Sequence, residues 1–218
     1  MLPDFKSLAA QRWYGYGRWS APYWFVGMEP GGEEDPRVYS SWHEIGEPEL
    51  LDLKQHSEAC HDMKWVGEHP PLQSTWKQLI RIVLGYEGKP ADNDDVRAYQ
   101  RDRLGRTDGQ TLLAEISSVN AKSLGVTVPE REAHRAERIA TIRRHLEVHQ
   151  PEFAVFYGLS YRDDYAAIAG GSFDESGYQW NGSTLCSLVR HPAARPTMPA
   201  ASWIEKGRDI RKMRTPAG

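Results

Sequence analysis

Two residues whose side chains suit acid–base chemistry each follow an apolar run of this chain. Glu29 lies in the turn Gly27-Met28-Glu29-Pro30-Gly31-Gly32, directly after the apolar residues 23–26. His191 follows a second apolar run at residues 184–189. Carboxylates and imidazoles are the commonest groups that move protons or stabilise charge in active sites. A glycine-rich turn also lets a ligand approach the backbone closely, so the two residues are candidates for one site.

The sequence around these residues predicts alternating strands and helices. Four apolar runs predict buried strands at residues 23–27, 112–120, 153–158 and 184–189. Helical spacing predicts helices near residues 49–61, 74–85, 130–150, 161–169 and 203–213, with residues 36–73 otherwise an irregular loop. The pattern predicts an α/β three-layer sandwich with a central four-stranded parallel sheet. The carboxyl ends of the first and fourth predicted strands then bring Glu29 and His191 to a shared cleft.

Length and composition favour a single domain over residues 1–218, with an aromatic segment at residues 1–22 packed on it. The longest apolar runs are far shorter than a bilayer span and no secretory leader is evident, so we expect a cytoplasmic protein without a membrane partner. The net charge is −3, which argues against a general polyanion binder. The charge is uneven, because residues 186–218 hold seven Lys or Arg and two acids. A nucleic-acid contact and a solvated helix both fit that basic C-terminal segment.

Glu115 and the segment around His56 each allow more than one interpretation. Glu115 stands near the end of an apolar run, where a carboxylate must be paired, functional or at an edge facing water. His56, Cys60 and His61 have spacings that permit a zinc site but show no clear fourth ligand, so we expect no metal there.

The acidic turn allows a different chemistry from proton transfer. A Mg²⁺ site built on Glu29, Glu33, Glu34 and Asp35 is an alternative for this segment, because Mg²⁺ prefers carboxylate oxygens.

The chain resembles the uracil-DNA glycosylase superfamily over roughly residues 20–200. The likeness rests on Gly27-Met28-Glu29-Pro30-Gly31 after the first strand and on His191-Pro192 after the last. The resemblance implies excision of a base flipped out of DNA, without a cofactor, by a protein we expect to be monomeric. It assigns a catalytic carboxylate to Glu29 and a hydrogen bond to the departing base to His191.

The resemblance also implies residues that line the pocket. These are Gly27, Met28, Gly31 and Gly32. Phosphate contacts would come from the Gly31 and Gly32 amides and from the basic C-terminal segment.

Further substrate-binding roles follow from the same resemblance. An aromatic side chain that stacks on the base corresponds to Trp42 or Tyr39, and Arg195 stands where a wedge enters the DNA stack. The base itself would be read by Glu115 or by Asn120.

The residues at which this chain departs from the family pattern bear on which base is excised. Ala193 replaces a phosphate-binding serine, and Gly31 leaves room beside the 5-position of a pyrimidine. A carboxylate at Glu115 accepts a hydrogen bond from the amine of cytosine. We therefore expect excision of uracil or a 5-modified cytosine, in base-excision repair or antiviral defence. The alternatives are a Mg²⁺-dependent nuclease or phosphohydrolase and a catalytically inactive nucleic-acid-binding module.

Overall fold

Strands form where the chain has consecutive bulky apolar residues, and they join into one mixed sheet. The computed structural model describes residues 4–30, 35–120 and 132–215. The strands are β1 Gly15–Tyr16, β2 Tyr23–Gly27, β3 Leu50–Leu51, β4 Thr111–Glu115, β5 Phe153–Tyr157, β6 Tyr178–Asn181 and β7 Thr184–Val189. Their order across the sheet is β3-β1-β4-β2-β5-β7-β6.

The α/β prediction is confirmed, but the predicted four-stranded parallel sheet is too narrow. Strands β4, β2, β5 and β7 pair in parallel, as their continuous apolar runs require. At the flanks, β1 and β6 pair antiparallel with β4 and β7, and β3 adds to β1. These three extra strands have two to four residues, too few for a readable alternation of apolar and polar side chains.

Helices cover both faces of the sheet. They are α1 Phe5–Arg12, α2 Pro36–Glu44, α3 Leu53–Ala59, α4 Trp76–Glu87, α5 Asn93–Asp102, α6 Arg135–His149, α7 Arg162–Ala169 and α8 Ala200–Arg214. One face packs with α4, α5 and α8 around Phe25, Phe153 and Val155, and the other packs with α6 and α7 around Trp24 and Phe156. No helix within the described ranges has the length and apolar character that a bilayer crossing requires.

Several local predictions are corrected. The segment expected to be irregular contains α2, which the Asp35 side chain caps by accepting from the Arg37 amide. The start of helix α4 is stabilised by the Gln73 side chain, which accepts from the amides of Thr75 and Trp76. It continues past Gly85 and ends at Gly88, whose left-handed conformation suits glycine.

Helices α4 and α8 approach each other closely because each carries a glycine at the contact. A Cβ atom added to Gly207 would overlap the Ile82 carbonyl oxygen, and one added to Gly85 would overlap the Ile204 carbonyl oxygen. In both cases the obstacle is helix backbone, which cannot move without separating the two helices. This contact fixes the helical layer that packs on β5 and β7.

Gly207→Ala is therefore expected to destabilise the fold, although alanine is the better helix former. Overpacking of this kind typically costs about 1–3 kcal/mol. Chemical denaturation followed by circular dichroism measures the change, with Ser202→Ala on the same helix as the control. Equal stability of Gly207→Ala and the wild type would show that α4 and α8 are not held this close.

Candidate active site

The Glu115 side chain extends from the end of β4 across the end of β2 and reaches β5. Glu115 pairs with Gly27 in the parallel register, and Tyr157 ends β5 on the other side of β2. The Tyr157 hydroxyl donates to Glu115 Oε1 at 2.7 Å. A Cβ atom at residue 27 would overlap both Glu115 Oε2 and the Tyr157 hydroxyl. Residue 27 must therefore be glycine for this carboxyl and this phenol to meet.

His191 joins the same edge of the sheet through Tyr157. The two rings are in edge contact, with centroids 5.7 Å apart and an interplanar angle of 62°. Tyr157 is held in place because its carbonyl accepts from the Tyr165 hydroxyl at 3.0 Å. The carboxyl ends of β4, β5 and β7 thus bring Glu115, Tyr157 and His191 together, which is where open α/β sheets bind ligands.

The turn that follows β7 fixes the His191 ring. The Ala194 amide donates to the His191 carbonyl at 2.9 Å, and the Ala193 amide donates to His191 Nδ1 at 3.2 Å. Because Nδ1 accepts a hydrogen bond, the neutral ring carries its proton on Nε2. The residue reaches solvent, yet partial desolvation lowers the pKa of His191 and favours that neutral form. His191 therefore presents a neutral N–H donor.

Burial, with a smaller contribution from the negative charge of Glu29, raises the pKa of Glu115 to about 8 against the opposing effects of Tyr157 and Arg138. Oε2 of Glu115 is buried and has no hydrogen-bond partner within the described ranges. A buried carboxyl with one unsatisfied oxygen is more stable when it carries a proton. Glu115 is therefore an acid at neutral pH, whereas the sequence had led us to treat it as a carboxylate.

Glu29 lies near this cluster, at the turn predicted from the sequence. Its charge acts on Glu115, Tyr157 and Tyr165, which places it at the same edge of the sheet. The backbone before it is fixed by the loop after β4, since the amides of residues 116 and 117 donate to the carbonyls of residues 27 and 28 at 2.9 and 2.7 Å. Met28 itself is buried, whereas Glu29 is half-buried.

Arg138 anchors the loop that follows β4. Its guanidinium, 1% exposed, donates to the carbonyls of Glu115 and Ile116 and also to those of Ala10 and Trp13 in the N-terminal segment. Burial lowers its pKa to about 10, yet the group stays charged at neutral pH. On the same helix, Ala136 is exposed.

Tyr39 and Trp42, the predicted stacking aromatics, lie on α2 in a core cluster with Ala9, Trp13 and Leu51. Trp42 is fully buried and its indole N–H donates to the Pro48 carbonyl at 2.9 Å. Neither ring presents a face to solvent here. A stacking role for Trp42 therefore requires α2 to move away from the N-terminal segment.

The remaining predicted contacts are separate from the cluster or outside the described residues. Gly31 and Gly32 fall outside, as do Glu33 and Glu34 of the alternative metal site. Asn120 is half-buried and is the last residue described before residue 132. Arg195 is exposed in the turn that begins at His191, and its carbonyl accepts from Arg190 at 3.3 Å.

The sequence hypothesis of a zinc site at His56 finds no support. Among the described residues there is no group of three or more His, Cys, Asp or Glu able to hold a metal ion. Both nitrogens of His56 are already engaged, one with the Tyr16 hydroxyl and the other with the Val38 carbonyl, each at 3.0 Å. His56 instead ties α3 to β1 and α2.

The basic C-terminal segment is partly neutralised by its own acids. Arg208 and Lys212 pair with Glu205 at 3.2 and 3.1 Å, and Lys212 also pairs with Asp209. Exposed pairs of this kind leave less net charge for an anionic partner. Arg195 has no such carboxylate partner among the described residues. It is accordingly the stronger candidate for a phosphate contact.

Sequence reasoning missed Tyr157 and Arg138. Tyr157 occupies the last position of an apolar strand, directly before Gly158, which is the same kind of strand-end position that drew attention to Glu115. That shared position was an available signal. Arg138 gave no comparable signal, because its partners are backbone carbonyls that no side-chain pattern reveals.

No protein-family model matches the sequence, and comparison with curated proteins gives no relative.

Glu115→Gln is expected to change how stability depends on pH. The folded protein retains the Glu115 proton up to about pH 8, whereas the unfolded chain releases it near the ordinary pKa of 4.5. Folding therefore takes up a proton within this window, and the free energy of unfolding falls as pH rises through it. Glutamine removes that slope, so at alkaline pH the free energy of unfolding of the variant exceeds that of the wild type by on the order of 1–3 kcal/mol.

Urea denaturation across this pH window measures the slope, with Glu68→Gln as the control because its side chain is 89% exposed. Parallel pH profiles for wild type and Glu115→Gln would contradict the protonated state of Glu115.

Proposed function

We propose that this protein is a DNA glycosylase that hydrolyses the N-glycosidic bond of a flipped-out pyrimidine and leaves an abasic site. The observation that carries the proposal is the meeting of Glu115, Tyr157 and His191 at the carboxyl edge of the sheet, within the electrostatic reach of Glu29. The uracil-DNA glycosylase resemblance supports it, because that family's two motifs correspond to Glu29 and His191.

The chemistry divides between two centres of charge. As the bond between C1′ of the sugar and N1 of the base breaks, positive charge grows on the sugar and the bonding electrons go to the base. The Glu29 carboxylate stabilises the sugar cation and accepts a proton from the water that attacks C1′. His191, neutral and with its proton on Nε2, donates a hydrogen bond to the O2 oxygen of the departing base.

The preorganisation of His191 favours this role. Its ring is held by the Ala193 amide and by the edge of Tyr157, so little reorganisation is needed as charge develops. A donor fixed in place before the reaction is the usual source of large electrostatic stabilisation.

DNA is the partner that the proposal requires. Glycosylases extrude the target nucleotide into a pocket and hold the phosphates beside it. Arg195 is exposed in the same turn as His191, a position suited to contact the distorted backbone. We expect the protein to act as a cytoplasmic monomer.

The expected substrates are uracil and 5-modified cytosine. The first fits base-excision repair, and the second fits defence against DNA whose cytosines are modified. A Mg²⁺-dependent nuclease remains the competing activity, and the same assays distinguish it because chelator abolishes metal-dependent cleavage but leaves glycosylase activity intact.

Glu29→Gln and His191→Ala are each expected to reduce base excision about a hundredfold or more, because each removes one preorganised charge or hydrogen-bond contact. The assay incubates oligonucleotides that contain uracil, cytosine, 5-methylcytosine, 5-hydroxymethylcytosine or its glucosylated form, then scores abasic sites in the presence of chelator. Glu68→Gln and His69→Ala, whose side chains are 89% and 85% exposed, serve as matched controls. Wild-type rates in both site variants would show that the assigned site is wrong.

Arg195→Ala is expected to weaken DNA binding and to reduce the slope of log affinity against log salt by about one, the effect of losing one phosphate contact. Arg208→Ala is the control, because Arg208 already pairs with Glu205 at 3.2 Å. Fluorescence anisotropy over a range of salt concentrations measures both. An unchanged slope for Arg195→Ala would remove this residue from the DNA interface.

A further inference from the structure

The Glu115 carboxyl has two oxygens in different situations. Oε1 accepts from the Tyr157 hydroxyl at 2.7 Å, whereas Oε2 is buried over Gly27 and has no hydrogen-bond partner within the described ranges. We propose that Glu115 is the general acid of the reaction and protonates N3 of a departing cytosine-type base. This inference rests on the proposed glycosylase function and names the substrate class of that site.

The position of the proton follows from the Tyr157 contact. A hydroxyl that donates to Oε1 makes Oε1 the acceptor oxygen, so the acidic proton belongs on Oε2. Oε2 lies next to the position that a Cβ atom of residue 27 would occupy, two residues before Glu29 in the chain. The acidic O–H therefore belongs to the same cluster as Tyr157 and His191, at the carboxyl edge of the sheet.

The surroundings of Glu115 keep it protonated near neutral pH. Burial is the main cause of its raised pKa, and the Glu29 charge adds to it. Two groups act in the opposite direction: the Tyr157 hydrogen bond and the Arg138 guanidinium behind the strand. The phenols of Tyr16 on β1 and Tyr165 on α7 also lie within its electrostatic reach, and both are themselves neutral because burial raises their pKa values.

One carboxyl kept protonated beside another that is charged is the arrangement of hydrolases that pair a general acid with a general base. Here Glu115 provides the acid and Glu29 provides the base. The C1′–N1 bond breaks and its electron pair enters the base, which takes the Glu115 proton at N3 and leaves as a neutral molecule. Water bonds to C1′ and gives a proton to Glu29, and solvent returns both carboxyls to their starting states.

The acid distinguishes cytosine from uracil by chemistry rather than by fit. A protonated carboxyl offers one donor and one acceptor, so it forms hydrogen bonds with either base. In cytosine, N3 has a basic lone pair that can receive the proton. In uracil, N3 already carries hydrogen and the neighbouring O4 is only weakly basic, so proton transfer gives little assistance. A general acid at this position therefore accelerates the loss of cytosine derivatives selectively.

The test is Glu115→Gln, which keeps a donor and an acceptor at this position but cannot transfer a proton. We expect excision of the preferred cytosine derivative to fall about a hundredfold or more, in line with general acid catalysis, and excision of uracil to change less than about tenfold. Substituting 3-deazacytosine, which lacks the N3 lone pair, should slow the wild type to a similar degree. If Glu115 has a purely structural role, Glu115→Gln would lower the excision rate of every substrate alike, and that result would overturn the inference.

Tyr157→Phe provides a second readout. Removing the hydroxyl abolishes a hydrogen bond that lowers the pKa of Glu115, so Glu115 should lose its proton at a higher pH in this variant. The pH above which kcat falls should therefore be higher than in the wild type. Carbon-13 NMR titration of labelled glutamate follows Glu115 directly and needs no substrate. Ionisation near the ordinary pKa of 4.5 would overturn the inference even if the wild type excises bases.

The outcomes separate this inference from the proposed function. If the wild type excises uracil but no cytosine derivative, and Glu115→Gln does not change that rate, the glycosylase proposal stands and the general-acid role of Glu115 is wrong. Failure of the wild type to form abasic sites on any base would overturn the glycosylase itself, and the acid role with it.

Discussion

The candidate site depends on the absence of a side chain at Gly27. Because no Cβ occupies the end of β2, Glu115 can cross that strand and receive a hydrogen bond from Tyr157 on the far side. This single contact joins the ends of three parallel strands. It also removes the carboxyl from water, which is the main reason that Glu115 retains its proton. The geometry of the site and its protonation state thus have the same cause.

Arg138 also stabilises the candidate site. A buried charge is costly unless its donors are satisfied, and here four carbonyls from the N-terminal segment and from Glu115 and Ile116 accept from four of the five N–H groups. The helix that carries Arg138 therefore fixes both the N-terminal segment at Ala10 and Trp13 and the strand that carries Glu115. Its charge also moderates the pKa shift of Glu115, so this helix acts on the site both through the strand backbone and through its charge.

The sequence predicted three of the central strands closely, because runs such as residues 153–157 are apolar throughout and suit burial on both faces. The strand predicted over residues 112–120 instead ends at Glu115. The sequence also led us to expect Glu29 and His191 at one edge, since parallel strands share one carboxyl end. It could not predict β1 or β3, which are too short to show a period, nor the burial of Trp42, which depends on helix α2 packing against a distant N-terminal segment. The protonation of Glu115 was also beyond reach, because it arises from a three-dimensional enclosure rather than from neighbouring residues.

The order of strands has a further consequence for association. The most apolar strands, β2 and β5, lie in the interior of the sheet, and the outer positions belong to β3 and β6, with two and four residues. An edge this short offers few unpaired backbone groups to a strand from another molecule. Extension of the sheet between copies is therefore disfavoured, and the segments with the greatest tendency to form fibrils are protected for as long as the sheet stays intact.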